Sequence, residues 1–264
     1  MTGAVSRTPA AVSACVIACD AEDRIRDCLQ SLSWVDECIV VIDDRSRDAT
    51  EAIARELGAR VRLHRYQGNI EQKNFALGLA KCEWVLFLDA DEALSNQLIR
   101  NLRERLMAPE AADGYELSRL TFHLGRWIRH GDFYPDRQLR LFRRASGRFR
   151  GSNPHGRVRV AGRVEHIEGD LLHYSYRDLA DQLERIRSFS AIEADAMFRA
   201  GRPARLRDLI LRPPARFLRA YLLKGGVRDG WPGFVIAGMT AFHVFLKYAL
   251  LFERSRDGGD VDGA

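Results

Sequence analysis

Along the front of the chain, short unbroken apolar runs alternate with segments whose apolar residues recur every three or four positions. "SACVIAC" is such a run. After the acidic stretch "DAED" it gives way to Ile25, Cys28, Leu29 and Leu32, the i, i+3, i+4, i+7 spacing of a helix packed by one face. The unit then recurs. "ECIVVI" enters "DDRSRD", and the next helix opens with Asp48 and Glu51 at capping-box spacing and has Gly58 to close it. "RVRLH" predicts a third, shorter strand, "EQKNFALGLA" a third helix and "WVLFL" a fourth strand. Strands alternating with helices in this way predict an α/β fold: a Rossmann-like, mostly parallel sheet with flanking helices on both faces.

The pattern changes toward the C-terminus. "RPARLRDLILRPPARFLRAYLLKGG" mixes arginines with Leu206, Leu209, Ile210, Phe217, Leu218, Tyr221 and Leu222, which predicts basic amphipathic helices broken at Pro213 and Pro214. "WPGFVIAGMTAFHVFLKYALL", from Trp231 to Leu251, has about the length needed to cross a bilayer. Pro232, His243 and Lys247 interrupt it, so the expectation is a segment lying on an anionic membrane surface. The alternative is that these helices complete the core or a homodimer interface. The last residues, "SRDGGDVDGA", read as a disordered end.

Charge sharpens this division. Residues 1–110 hold 14 Lys+Arg against 18 Asp+Glu, whereas residues 111–264 hold 27 against 18, so an acidic front is followed by a basic back. The five cysteines lack CxxC spacing and read as reduced core residues. No charged n-region followed by a long apolar core opens the chain, so a cytoplasmic active face is expected.

Acids stand where three of the four predicted strands end: Asp20 and Glu22 after the first, Asp43 and Asp44 after the second, Asp89 and Asp91 after the fourth. In open α/β sheets ligands bind beyond these carboxyl ends. GxGxxG and GxxxxGK[ST] are both absent, which excludes support for a dinucleotide oxidoreductase or a P-loop NTPase. A nucleotide diphosphate would then be held through a metal. In an extended segment Asp89 and Asp91 face one side while Ala90 faces the other. Such hard oxygen donors suit Mg²⁺ or Mn²⁺, which takes one or two carboxylates and completes its shell with water and phosphate. The same two acids could equally sit in a strand-to-helix loop capped by Ser95.

Taken together, "IVVIDDRSRDATEAIA", "GNIEQKNFALGLA" and "WVLFLDADE" resemble the nucleotide-binding half of the family 2 inverting glycosyltransferases, of GT-A fold. With "YPDRQLRLF" and "LLHYSY" added, the chain resembles the lipopolysaccharide-core glucosyltransferase branch. The resemblance implies a UDP-sugar donor, UDP-glucose in this branch, and Mg²⁺ or Mn²⁺. It implies that Asp43 reads the uracil or ribose, and that Lys73 and Asn74 approach the nucleotide and its diphosphate. Asp89 and Asp91 would be the D-x-D, with Asp91 the more direct metal ligand. Asp20 and Glu22 match the first-loop pattern only in part, and Arg45 stands where relatives have glycine.

Inverting transfer needs a carboxylate base near the acceptor hydroxyl. Relatives place it directly after a histidine, but here His155 is followed by Gly156. Asp132, Asp136 and Glu165 are the candidate relocated bases. Asp136 could instead serve as an ion-pair partner of Arg137 or Arg140. His173, in "LLHYSY", is either an active-edge residue or a core histidine. Eleven arginines between Arg126 and Arg163, interleaved with aromatic residues, suit a phosphorylated saccharide acceptor better than a nucleic acid.

The expected organisation is therefore a sugar-nucleotide half over 1–110, an acceptor half over 111–176, an amphipathic helical region over 177–254 that associates with the membrane, and a tail over 255–264. The expected function is transfer of a sugar to a lipid-linked inner-core acceptor by a peripheral enzyme on the inner face of the cytoplasmic membrane. The alternatives are a polyprenyl-phosphate sugar transferase and a catalytically weak glycan- or lipid-binding homologue.

Overall fold

The predicted alternation is present as β1 (Val12–Ala18), α1 (Ile25–Ser31), β2 (Glu37–Asp43), α2 (Thr50–Glu56), β3 (Arg60–His64), α3 (Asn69–Leu79) and β4 (Trp84–Asp89). β5 (Glu92–Leu94), α4 (Asn96–Met107), β6 (Gly114–His123), β7 (Arg126–Ile128), β8 (Asp136–Arg143), β9 (Arg148–Arg150), β10 (Arg157–Arg159) and β11 (Val164–His173) follow, then α5 (Leu179–Arg199), α6 (Leu206–Leu218) and α7 (Gly230–Asp257). The computed structural model describes residues 10–108, 112–151, 156–203 and 205–257. The chain divides into two units, one of Met1–Arg119 with Asp136–Tyr174 and the other of Leu120–Pro135 with Ser175–Ala264.

In the first unit the strand order is β3-β2-β1-β4-β8-β6-β11-β5. β3, β2, β1 and β4 pair in parallel, as helical crossovers require, whereas β8 pairs antiparallel to both β4 and β6. The sheet is therefore mixed, because the strands after α4 are joined by loops rather than helices. Val12, Ala14, Val16, Leu86 and Leu88 turn to one face and meet α1, α2 and α4 residues such as Ile25, Ala54 and Leu98. Cys15, Ile39, Val41, Val85 and Phe87 turn to the other and meet Ala76 of α3 together with Phe149 and Val158. Burial on both faces explains why β1 and β4 read as unbroken apolar runs rather than alternating ones. Of the cysteines, Cys15 and Cys28 are buried as expected but Cys19 is exposed.

Local signals are met unevenly. Ser95 caps α4, accepting the Leu98 N–H at 3.3 Å. Gly169, at φ 112°, lets β11 approach the start of α4: a Cβ there would lie 2.8 Å from the Leu98 backbone. The capping box expected at Asp48 does not form. α2 begins at Thr50, and Asp48 instead accepts the Thr50 N–H at 3.0 Å and the Glu22 N–H at 2.8 Å, bracing one loop against another.

In the second unit the end of β6 pairs with β7, Thr121 opposite Ile128. This hairpin belongs with α5, α6 and α7 rather than with the rest of residues 111–176. α6 runs through Pro213 and Pro214 instead of breaking there. Two missing N–H donors cost that helix its bonds to the Leu209 and Ile210 carbonyls, but packing along α7 holds it, with the Phe217 ring edge-on to Phe234 at 5.5 Å. A π-helical turn, Arg219–Leu223, follows. Pro232 lies in the first turn of α7, where proline is tolerated. His243 and Lys247 do not interrupt α7 either, because Glu193 of α5 meets both, at 3.5 and 2.8 Å. α7 extends through Ser255, Arg256 and Asp257 into the expected tail, and residues 258–264 lie outside the described residues.

Candidate active site

The parallel registers align the strand ends. Asp89 stands level with Ile17 at the end of β1, and Asp43 level with His64 at the end of β3. The acids of the first unit therefore collect at one sheet edge, and each has found partners there.

Asp89 accepts Lys73 Nζ at 2.9 Å on Oδ1 and an Arg140 guanidinium N–H at 2.9 Å on Oδ2. The same Arg140 nitrogen reaches Glu92 at 2.5 Å, and Glu92 also accepts the Asp89 N–H at 3.0 Å. Arg119 lies 3.6 Å from Glu92 and 2.5 Å from Asp136. Three carboxylates thus meet three cations. Burial alone would push the Asp89 carboxyl up, but Lys73 and Arg140 outweigh it and hold the group well below the usual carboxylate range. The acidic pair is costly only when read along the chain. In space its first member is neutralised by α3 and β8.

Asp91 is placed differently. β5 pairs antiparallel with β11, setting Glu92 opposite His173. His173 Nε2 reaches Asp91 Oδ2 at 3.4 Å, and the Tyr174 N–H donates to the Asp91 carbonyl at 3.0 Å. "LLHY" is thereby laid against "DADE", while Ala90 is buried on the other side. Asp91 offers a hard carboxylate oxygen of the kind that suits Mg²⁺ or Mn²⁺, and the softer His173 imidazole serves better to orient that carboxylate. Among the described residues no group of three or more such side chains converges, so any divalent cation here would rely on phosphate and water for most of its shell.

The remaining nucleotide candidates are more occupied than their spacing predicts. Asp43 is buried, and its carboxylate is gripped by Arg45 through the backbone N–H at 2.9 Å and the guanidinium at 2.6 Å. Arg45 also stacks over Tyr66 at 4.6 Å. Asp20 accepts the Arg47 N–H at 2.8 Å and Glu22 the Ala49 N–H at 2.9 Å, so both lace the first loop to the second. Asn74 spends both ends of its amide on the Phe149 backbone, at 3.0 and 3.1 Å. Of the pair Lys73 and Asn74, only the lysine meets the D-x-D.

The candidate bases separate. Asp132 belongs to the second unit, where its buried carboxylate pairs with Arg216 at 3.1 Å and Lys224 at 2.9 Å. Asp136 is held by Arg119 rather than by Arg137 or Arg140, and accepts Gln138 at 2.7 Å on its other oxygen. Glu165 lies on β11, 3.3 Å from Arg163. His155 lies outside the described residues. Gly156 is packed so that an added Cβ would stand 2.2 Å from the Ile70 side chain, so the acid that the resemblance implies there would require Ile70 to shift.

Sequence reasoning missed Glu92 and Arg140 as site residues. Glu92 follows the D-x-D directly and Arg140 looked like one arginine among eleven. No linear spacing links them, since β4 and β8 become neighbours only through the antiparallel pairing of Leu86 with Leu141.

Comparison with known proteins identifies the family and the fold. A family model described as Glycosyl transferase family 2 matches residues 13–159. The chain is 31% identical over 250 residues to the lipopolysaccharide core biosynthesis glycosyltransferase LpsC of Rhizobium meliloti, covering 92% of each. It is 27% identical over 266 residues to an uncharacterized glycosyltransferase of Rickettsia typhi, covering 95% of this chain and 89% of that one. Among solved structures it is similar to the mannosyltransferase PcManGT of Pyrobaculum calidifontis in complex with GDP-Man and Mn²⁺, with TM-score 0.55 at 14% identity over 93% of this chain and 88% of that one. That last likeness concerns the fold.

Proposed function

The chain belongs to glycosyl transferase family 2, in its lipopolysaccharide core biosynthesis branch, and from that premise we propose that it transfers glucose from UDP-glucose, with inversion, to a phosphorylated inner-core or related lipid-linked glycan acceptor. The observation that carries this reading is the Asp89-x-Asp91 pair. Asp89 is neutralised by Lys73 and Arg140, and Asp91 is left to His173.

In this reading Asp91 would hold Mg²⁺ or Mn²⁺ with His173 orienting its carboxylate, and Asp89 would be the second ligand where Lys73 or Arg140 yields an oxygen. A cation held there would supply Lewis-acid stabilisation to a departing diphosphate. Asp89 fixes Lys73 and Arg140 at the strand end, where their charges suit the same diphosphate. Asp43 reads the uracil or ribose once Arg45 turns away, and the Asp20–Glu22 loop supports that side. In the displacement, the acceptor hydroxyl oxygen bonds to the anomeric carbon as the bond to the diphosphate oxygen breaks, and a carboxylate takes the hydroxyl proton. Asp136 is our candidate for that carboxylate, because the Arg119 that holds it also lies 3.6 Å from Glu92 beside the D-x-D, whereas Glu165 stands eight residues before His173 on β11, about 26 Å away at the rise of a strand.

The second unit suits a lipid-linked substrate. α7 belongs to Gly226–Arg256, which is long and apolar enough by length and composition to cross a membrane, and little of its apolar stretch is buried. Leu223 and Trp231 are 84% and 64% exposed. We place this surface peripherally on the cytoplasmic face of the membrane.

Purified protein with Mn²⁺ and a panel of UDP-sugars tests the proposal. UDP-glucose should raise the melting temperature, and UDP should be released when core acceptor is added. Neither effect with any UDP-sugar would sink it. The packing of Gly156 against Ile70 favours one rival, a glycan-binding homologue without turnover. That rival predicts a thermal shift with no UDP release.

A further inference from the structure

β9 and β10 form a short two-stranded ribbon in the first unit, with Arg150 opposite Arg157, Phe149 opposite Val158 and Arg148 opposite Arg159. Side chains alternate across a strand, so Phe149 and Val158 enter the core beside Phe87 while all four arginines share the exposed face. Among the described residues no carboxylate pairs with any of the four. Like charges directly opposite one another destabilise a strand pair, and an ordinary solvated ribbon sets opposite charges there instead. Two like-charged pairs in succession point to a ligand of the opposite sign.

The ribbon is also fixed in place. Asn74 bonds both the N–H and the carbonyl of Phe149, the Phe149 ring packs edge-on against Phe87 at 4.8 Å, and Lys73 Nζ stands 5.6 Å from its centroid. Phe87 lies two residues before Asp89, so the arginine face is pinned to the strand end that carries the D-x-D. This gives Asn74 a use that its position in "EQKNFAL" did not suggest: it positions the ribbon.

We propose that the β9–β10 ribbon recognises phosphate on the acceptor saccharide, each cross-strand arginine pair, Arg150 with Arg157 and Arg148 with Arg159, receiving one phosphate monoester. Two guanidinium groups facing one phosphate can present several charge-assisted N–H donors to its oxygens, which lysine cannot match in geometry. This rests on the glycosyltransferase reading for the word acceptor, but the anion site itself does not depend on it.

The test uses the full chain, with glucose 6-phosphate, glucose and inorganic phosphate as probes, followed by arginine side-chain NMR and by thermal denaturation. Glucose 6-phosphate should shift the arginine Nε–Hε signals of the ribbon saturably, glucose should not, and inorganic phosphate should bind more weakly. R150A/R157A should weaken glucose 6-phosphate at least about tenfold, as loss of charge-assisted hydrogen bonds implies. R150K/R157K should fall between. Because the pairs repel, R150A/R157A should melt no lower than the wild type without ligand, which also guards against misfolding as the cause. The Mn²⁺–UDP thermal shift should be unchanged in both variants. Equal binding by wild type and R150A/R157A overturns the proposal. So does inorganic phosphate binding as tightly as the sugar phosphate, or a matching loss of UDP binding, which would assign the pairs to the donor. If wild type binds glucose 6-phosphate but no UDP-sugar, the glycosyltransferase reading fails and the anion site stands.

Discussion

In the first unit Asp89, Glu92, Lys73 and Arg140 lie at the end of a sheet strand, Glu92, Lys73 and Arg140 buried and each carboxylate met by a cation, while in the second unit leucine, tryptophan and phenylalanine side chains face outward. Both arrangements run against the usual partition of charge outside and apolar groups inside. The first is tolerated because its charges cancel pairwise within hydrogen-bond distance; breaking one pair would strand a charge in a low dielectric. The second is tolerated where something other than water covers the apolar face. In the first unit the departure from the rule lies inside the protein, and in the second it lies at the surface. A substitution should therefore act on stability in one and on partition between water and membrane in the other.

Arg140→Met should produce the largest effect. It strands Glu92 and weakens the hold on Asp89, and we expect a loss of about 3–5 kcal/mol in urea denaturation, as for breaking a buried pair from one side. A loss under about 1 kcal/mol would show that the cluster is solvated and would erase the contrast with the second unit.

Asp91→Asn should leave the melting temperature near that of wild type and abolish Mn²⁺-dependent UDP binding in calorimetry. We expect at least about a hundredfold, because even partners of metal ligands cost roughly 10–100-fold. Wild-type affinity in that variant would remove the metal from Asp91.

Leu223→Ser with Trp231→Ser should do the reverse. Flotation with vesicles containing phosphatidylglycerol should fall severalfold, while stability changes by less than about 0.5 kcal/mol per site, as for exposed positions. A large drop in melting temperature would show that these side chains are covered by protein rather than lipid.

Arg45→Ala frees the Asp43 carboxylate, and UDP should bind up to about tenfold more tightly if the closed form is the dominant one in the free protein. Weaker binding would make Arg45 a nucleotide contact instead.

Glu193 offers the smallest and most specific test. His243 and Lys247 outweigh partial burial and lower its carboxyl from 4.5 to about 2. A depressed folded-state value contributes stability that is fully present above about pH 4.5 and is lost as pH falls toward about 2. Glu193→Gln should flatten this part of the acid-denaturation curve, and an unchanged curve would remove the pair from the account of how α7 keeps its polar face.

Much of the first unit was legible because its signals are local. Unbroken apolar runs marked β1, β2 and β4, helical spacing marked α1, and the strand ends placed Asp43, Asp89 and Asp91 at one edge. Single-residue signals were less dependable. Pro213 and Pro214 did not end α6, and Asp48 did not cap α2, because packing along α7 and a loop-to-loop brace decided those positions instead.

By itself the sequence determined the strand–helix order, the D-x-D, the acidic front and basic back, and the family resemblance, since each is carried by neighbours in the chain or by motifs of fixed spacing. Only the tertiary structure decided which partners each acid meets. It joined Arg140 to Asp89 across an antiparallel pair 51 residues apart in the chain, laid His173 against Asp91 through β5 and β11, and filled the place beside Gly156 with Ile70. Electrostatic energy falls off with distance through space, and distance along the sequence does not report it.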